Sequence, residues 1–477
     1  MIAEWRKHSM QYFYTVCNLV KISLVYLNRA TIVMFFTSIA VVFLGLNSAR
    51  TMDNEKWYKT IFSQTFTNSD KDVALGPEKP VQLKDLRTSR VPLRSEKMLS
   101  RIDKAILHYR RLVALGGWNI DKRLKLLRPG DNDPAVPAIR RRLVLSKDIP
   151  PKDAIFYADS FHFDKWLEAG VKNFQRRHGL LVSGKLDRPT RSQISITPEA
   201  RLRQLILNRK RIFKHLVNSQ LHRYVLVNTA SFQLEAVDQF EVQRHHRVIV
   251  GKPDRQTPEI SATIKGLNFF PFWRVPDSVA ILDLIPRLIH EPDYLVKERI
   301  SVVKQNYDGP EVDTTYINWH DIDAKKVKFR QDPGPWNALG LVRINMPNRE
   351  IVYLHDTPMK SLFKQRRRAF SAGCVRVENV FDFVSWILRY EPLLNELDEV
   401  NKIIEKTNLE QIRLKRPSDY DIILTRPIPV VFTYITAWVE DDSTVVFRPD
   451  IYDRDGVSEI FSNLDQEAPV SPNVLSP

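Results

Sequence analysis

The sequence predicts a multidomain α+β protein. It comprises an N-terminal membrane anchor, a small all-α domain, and a mostly-β, sandwich- or barrel-like domain interrupted by an insertion. Three observations carry this. An apolar run, ATIVMFFTSIAVVFLGL, fills residues 30–46 without a single charge. Apolar residues recur at helical spacing between residues 93 and 216. From Tyr224 onward, short β-branched runs alternate with Gly and Pro turns. At 477 residues and 43% hydrophobic content, the chain is long enough for two or three folded domains.

The net charge of +16 calls for an acidic partner or surface: nucleic acid, anionic lipid headgroups or an anionic wall polymer. No ribonucleoprotein, helix-turn-helix or zinc-ligand pattern accompanies the charge, so nucleic acid is not expected as a partner. Only two cysteines are present, Cys17 and Cys374, which excludes a disulfide-built scaffold. Neither His245 and His246, which alternate on opposite faces of one strand as surface and core residues, nor His290 and His320 have metal-ligand spacing, and no metal site is expected.

Residues 1–29 are basic and aromatic, with Arg6, Lys7, Lys21 and Arg29. Cations before residues 30–47 predict a signal-anchor with that end in the cytoplasm and the bulk of the chain outside. A cleaved signal peptide is the alternative, with Asn47-Ser48-Ala49 a poor cleavage site. Residues 48–92 are polar and aperiodic and read as a linker. Residues 93–126 form a helical scaffold segment whose pattern (Met98, Ile102, Ile106, Tyr109, Leu112, Val113) stops at Gly116-Gly117.

Residues 127–195 carry two helical patterns, one with Val136, Ile139 and Leu143, the other VKNFQRRHGL, followed by Gly184-Lys185-Leu186 and Thr190. Residues 196–223 contain a basic connecting helix, RLRQLILNRKRIFKHL, whose charges are expected on a solvated face.

The β-rich domain spans residues 224–458. Tyr224 to Asn228 and Phe232 to Leu234 alternate as a strand pair with Ala230 at the turn, Val242 to Val250 is a third strand, and Ile264 to Phe270 a fourth. Residues 281–330 interrupt the strands with a helical stretch and then charged, aromatic loop material. Residues 395–408 are amphipathic, and VFTYITAW and TVVF read as closing strands. Residues 459–477 form a polar tail, expected to be disordered.

The chemistry concentrates in residues 351–390. The run IVYL ends at His355, Asp356-Thr357-Pro358 turns the chain, and Ser371-Ala372-Gly373-Cys374 precedes the extended Val375-Arg376-Val377. Asn379 is placed to cap a helix from about residue 380. Only a few per cent of a free thiol is ionised at neutral pH, so a nucleophilic Cys needs a base. An imidazole at the end of the neighbouring extended segment can take the proton, and an ion pair would lower the thiol pKa. Gly373, lacking Cβ, lets the backbone approach a carbonyl, so that N–H groups of Gly373 and Cys374 can serve as an oxyanion hole. A buried inert Cys374 beside a turn His355 is the alternative from the residues alone.

His-Asp-Thr-Pro followed by Ser-x-Gly-Cys-Val-Arg-Val resembles the active-site signature of the L,D-transpeptidases, enzymes of peptidoglycan cross-linking. The resemblance is to the large Gram-negative type with a peptidoglycan-binding-like domain and a capping subdomain. Most members carry a second His where this chain has Ala372. The Phe174-Gln175 … Gly179-Leu180 … Gly184 … Thr190 spacing is similar to the small three-helix peptidoglycan-binding domain, though an ordinary amphipathic helix would also explain the first part. Resemblance also extends over VGKPDRQTP, FFPFWRVP and QDPGPWNALGLVRINMPN, and covers about three quarters of the chain.

The resemblance implies Cys374 as nucleophile, His355 as general base and acid, and Gly373 as an oxyanion donor. It implies acyl transfer from the meso-diaminopimelate of a tetrapeptide stem, release of D-Ala, a 3-3 cross-link, carbapenem acylation of the same Cys, and no cofactor. Tyr353, Ser371, Arg376 and Trp273 are the substrate-binding candidates. Trp273 and Tyr353 fit the cleft or the core, and Arg376 fits a stem carboxylate or an internal ion pair. The insertion at 281–330 would cap the site; a surface excursion is the other reading. Peptidoglycan stems are the implied partners, and the inner membrane, with the catalytic part in the periplasm, the implied location. Two rival functions remain: a non-catalytic wall-binding protein, and a Cys enzyme that releases D-Ala to water or tethers a protein to the wall.

Overall fold

The computed structural model describes residues 85–121, 123–151, 159–216, 221–315, 317–323, 326–392 and 420–456. The expected anchor at 30–47, the basic residues before it, the amphipathic stretch at 395–408 and the tail at 459–477 lie outside them. Among the described residues no helix is long and apolar enough to cross a membrane.

Helix α1 (Glu96–Ala114) starts where the Ser95 hydroxyl accepts the Met98 N–H, and it buries Met98, Ile102, Ile106, Tyr109 and Leu112 on one face. It ends as expected at Gly116, whose φ of 80° only glycine adopts readily; the Gly117 N–H then caps the Leu112 carbonyl at 2.8 Å. Helices α2 (Val136–Leu145), α3 (Lys165–Arg177) and α4 (Arg188–Ile194) form the small bundle. The fully buried Gln175 amide holds it together. Its nitrogen donates to the Lys185 carbonyl (2.8 Å) and Thr190 Oγ1 (3.0 Å), and its oxygen accepts the Gly184 N–H (2.9 Å). The Gln175, Gly184 and Thr190 spacing is thus internal architecture.

Helix α5 (Pro198–Leu216) departs from the expected solvated basic face. Arg201 is 2% exposed and stacks over Phe447 at 4.5 Å, Arg211 pairs with Asp455 at 2.5 Å, and Arg209 with Asp103. Arg209 thus faces α1, whereas Arg201 and Arg211 face the hairpin β13 (Ala437–Val439) and β14 (Val445–Phe447) with the turn beyond it. Of the two expected closing strands, VFTYITAW and TVVF, the first half of VFTYITAW does belong to the β domain: Val431, Phe432 and Thr433 pair with Leu226, Val227 and Asn228. Its second half and TVVF turn to the helices: Trp438 and Phe447 share one apolar core with α1 to α5.

Among the described residues the main sheet has nine strands in the order β10-β3-β11-β9-β8-β4-β12-β1-β2, and β2 pairs back onto β3, so the sheet closes into a barrel. The strands are β1 (Tyr224–Asn228), β2 (Gln233–Asp238), β3 (Glu241–Gly251), β4 (Ser261–Phe269), β8 (Val342–Asn345), β9 (Leu354–His355), β10 (Ala369–Ser371), β11 (Val375–Val377) and β12 (Asp421–Thr433). Alternation sends Val225, Val227, Val248, Ile264, Ile344, Leu354 and Val375 into one core, where the helix Val380–Leu388 adds Phe383, Val384 and Ile387. Asn379 occupies the N-cap position in a left-handed conformation (φ 49°) with no side-chain cap, so its backbone rather than its amide starts the helix. His246 lies in the core as expected. His245, expected at the surface, is half-buried, with its Nε2 3.0 Å from the Ser89 carbonyl.

The insertion is more regular than expected. Strand β5 (Trp273–Arg274) precedes a helical stretch with a π turn (Ala280–Leu284), and among the described residues it joins β7 (Val327–Gln331) and β6 (Ile300–Lys304) in a three-stranded sheet. Arg255 holds it to the barrel through a two-pronged contact with Asp283 at 2.5 and 2.7 Å. The end of the expected linker is also structured: from Asp85 to Leu93 the chain straps across β2 and β3.

Candidate active site

Three short strands assemble the site. β9 pairs in parallel with β11, setting His355 beside Arg376 and Leu354 beside Val375; β8 lies on the other side of β9, setting Arg343 beside His355. Since side chains alternate, Leu354, Val375 and Ile344 enter the core, while Arg343, His355 and Arg376 share the opposite face. Tyr353 and Cys374 fall one step back on that same face. Strand spacing and rise put the Cα atoms of Cys374 and His355 about 8 Å apart, within reach of side chains that share a face. Trp273, from β5, completes the group: the Tyr353 hydroxyl interacts with both the Trp273 indole N–H and the Cys374 thiol. Five of the seven candidate side chains are therefore brought together, including both that fitted cleft or core equally.

The other two brace the loop. Ser371 is 4% exposed; its hydroxyl donates to the Cys374 carbonyl (2.5 Å) and accepts the Gly373 N–H (3.1 Å). Ser371, expected among the substrate-binding residues, here braces its own loop, and the Gly373 N–H expected in the oxyanion hole donates to its hydroxyl. Gly373 has φ 128°, a conformation open to glycine and few others, which turns the chain into β11. Its carbonyl accepts from Thr257 Oγ1 (2.7 Å), and that same oxygen accepts the Gly251 N–H (2.8 Å). Thr257 thereby locks the Cys374 loop to the end of β3.

Charge around the pair is positive. Burial, with Arg376 as the next cause and Lys360 and Arg343 adding, pushes His355 down to about 3. Its Nδ1 donates to the Asp356 carbonyl at 2.5 Å, which leaves Nε2 as a bare acceptor. Burial pushes the Cys374 thiol up, against the opposing pull of Tyr353 and Arg376. The resting pair is therefore neutral thiol and neutral imidazole, not the ion pair the residues alone suggested. Arg376 is itself pushed down to about 10 by burial. Its recorded contact is the Met359 sulfur at 4.0 Å, its Nε has no partner, and no described carboxylate pairs with it, so the internal ion pair is not formed.

Two consequences are measurable. Alkylation of Cys374 by iodoacetamide, followed by intact mass against pH, should rise through a midpoint above 9, the thiol's ordinary value. A rate already at its plateau near pH 6 would mean that the ion pair exists at rest.

The second concerns stability. Burial holds His178 well below its ordinary 6.5, His246 at about 4 and His355 at about 3. Between those values and 6.5 the unfolded chain binds protons that the fold does not, so stability is complete above 6.5 and falls with pH. Each histidine contributes about 1.4 kcal/mol per pH unit, roughly 4 kcal/mol for three. Glu298, raised to about 7 by burial, works the other way and softens the slope. The urea midpoint should therefore drop between pH 7 and 5; a constant or rising midpoint would contradict the neutral histidines.

Arg343 and Thr257 were not singled out from sequence. Alternation in Val-Arg-Ile-Asn was the available signal for Arg343, whereas nothing local marks Thr257, which acts across 116 positions.

Residues 222–404 match the family model described as "L,D-transpeptidase catalytic domain", and residues 156–194 that described as "Putative peptidoglycan binding domain". A curated Haemophilus influenzae protein named "Putative L,D-transpeptidase" is 31% identical over 268 residues, 56% of this chain and 50% of its own. The chain thus spans half the length of that relative. Among solved structures, an L,D-transpeptidase from Mycobacterium smegmatis is 12% identical over 44% of this chain and 58% of its own, with a TM-score of 0.19. One from Stackebrandtia nassauensis is 13% identical over 56% and 90%, with a TM-score of 0.22. Scores this low carry no argument about the fold.

Proposed function

From the premise that this chain carries an L,D-transpeptidase catalytic domain and a peptidoglycan-binding domain, we propose that it is a cysteine acyltransferase forming 3-3 cross-links between peptidoglycan stems. The observation that carries the reading is one sheet face that holds Cys374, a histidine with a bare Nε2 and, directly across from that histidine, an arginine with no carboxylate partner among the described residues.

As Cys374 Sγ attacks the carbonyl of the third stem residue, its proton passes to His355 Nε2. Because the resting imidazole is neutral, transfer accompanies attack instead of preceding it. With the Gly373 N–H taken by Ser371, the Cys374 N–H is the backbone donor left for the oxyanion. The imidazolium then protonates the leaving D-Ala amine, and a thioester remains. The side-chain amine of a second stem attacks this thioester, returning the thiol. Arg376 and Arg343, on either side of His355, supply positive charge suited to the carboxylates of a stem peptide.

The apolar run at 30–46 with cations before it supports an anchor in the cytoplasmic membrane and catalysis on its outer side. The buried Gln175 and Thr190 account for the bundle's motif structurally, so wall binding by the bundle needs a pull-down of its own.

Intact mass spectrometry of the full chain with a carbapenem, and with a tetrapeptide muropeptide, tests the reading. One adduct on Cys374 and a dimeric product lacking one D-Ala are expected. Adduct with only D-Ala release would indicate hydrolysis, and no adduct from folded protein would leave a wall-binding role.

A further inference from the structure

The segment that carries Cys374, from β10 through β11, is gripped at both ends by one carboxylate from far upstream. Arg368 stands immediately before β10. It is fully buried, its carbonyl accepts the Val250 N–H (2.8 Å), and its Nη1 donates to Asp85 Oδ2 at 2.7 Å. Glu378 stands immediately after β11; its N–H donates to the Arg247 carbonyl (2.9 Å) and its carboxylate accepts from Arg247 Nη1 (3.0 Å). Arg247 in turn donates through Nε to Asp85 Oδ1 at 2.7 Å. Asp85 therefore joins the entrance and the exit of the nucleophile segment through its two oxygens.

The strap that brings Asp85 there is itself tied down. The Asp85 carbonyl accepts from Gln233 (2.7 Å), the Arg87 N–H donates to Gln233 Oε1 (3.1 Å), and the Leu93 N–H donates to Glu235 (3.0 Å). Arg368 has no other carboxylate among the described residues, and its Nε is already without a partner. A buried guanidinium that loses its anion must move toward water or take its surroundings with it. The nearest thing it can take is the strand that begins at the next residue.

We propose that Asp85 is a positioning residue for Cys374, so that the strap from Asp85 to Leu93, outside the matched catalytic segment, is a working part of the active site. It acts through Arg368 and Arg247 and touches no substrate. The effect on turnover rests on the transpeptidase reading; the clamp itself does not.

The test uses the full chain carrying Asp85→Asn, which keeps the shape and removes the charge. Turnover of a tetrapeptide muropeptide should fall about tenfold or more in kcat, with KM within about twofold, because geometry at the reacting atom is lost while the binding surface stays. Residue-resolved hydrogen exchange should quicken at the Val250 and Lys252 amides, which bond to Arg368 and Ser371, and stay unchanged in α1. Asp85→Glu should recover most of both. Arg90→Ala, which removes only the exposed pair with Glu241 on the same strap, should change neither. Should Asp85→Asn not fold, Arg247→Lys carries the same expectation at smaller size. Exchange that quickens evenly through the molecule, or kcat within twofold of the parent, would overturn the proposal. Absence of turnover in the parent would count against the transpeptidase reading, while exchange would still decide the clamp.

Discussion

Cys374→Ser is expected to lose at least about 10⁴-fold in kcat for muropeptide cross-linking and to form no carbapenem adduct, while its urea midpoint stays close to the parent's. The loss is large because the site is tuned to a thiol. A serine hydroxyl is far less acidic, and a histidine pushed down to about 3 is too weak a base to activate it. Oxygen is also smaller than sulfur, so the nucleophile would sit farther from any carbonyl held by the cleft. Folding should tolerate the change, since the loop's own hydrogen bonds run through Ser371, Gly373 and Thr257, and a serine hydroxyl can keep the thiol's contact with Tyr353. Retained turnover in the serine variant would remove Cys374 from the mechanism.

His355→Gln should lower kcat by about 10²- to 10⁴-fold, the range set by loss of a positioned general base, with a smaller change in KM. Gln is the useful replacement because it can still donate to the Asp356 carbonyl, so the loss reports proton transfer and not a collapsed turn. The variant should also differ from the parent in its response to acid. With one of three buried neutral histidines gone, the fall of the urea midpoint between pH 7 and 5 should become shallower. A variant with normal turnover would make His355 a structural residue. Unchanged acid sensitivity would mean that His355 is not held neutral in the fold.

Much of the site was legible in the sequence because its parts are local. A β-branched run ending at His355, a Ser-x-Gly turn before Cys374 and a following Val-Arg-Val each declare extended backbone or a left-handed glycine within a few residues. Alternation then fixes which side chains share a face once two strands are neighbours. The insertion was harder. Its strands Ile300–Lys304 and Val327–Gln331 lie in charged and aromatic surroundings that mask a period of two. The closing hairpin had strand character, but periodicity does not say which core a strand joins, and Trp438 and Phe447 joined the helices.

By itself the sequence determined the kinds of element, the turn glycines and the residues able to do thiol chemistry, because backbone preference and side-chain reactivity are properties of short stretches. Tertiary structure alone decided the protonation of the pair, since burial and the cations Arg376 and Arg343 reach His355 only when the strands are side by side. It also decided what holds the Cys374 segment in place. Thr257 reaches Gly373 across 116 positions and Asp85 reaches Arg368 across 283, and hydrogen bonds over such separations leave no periodic trace in the chain.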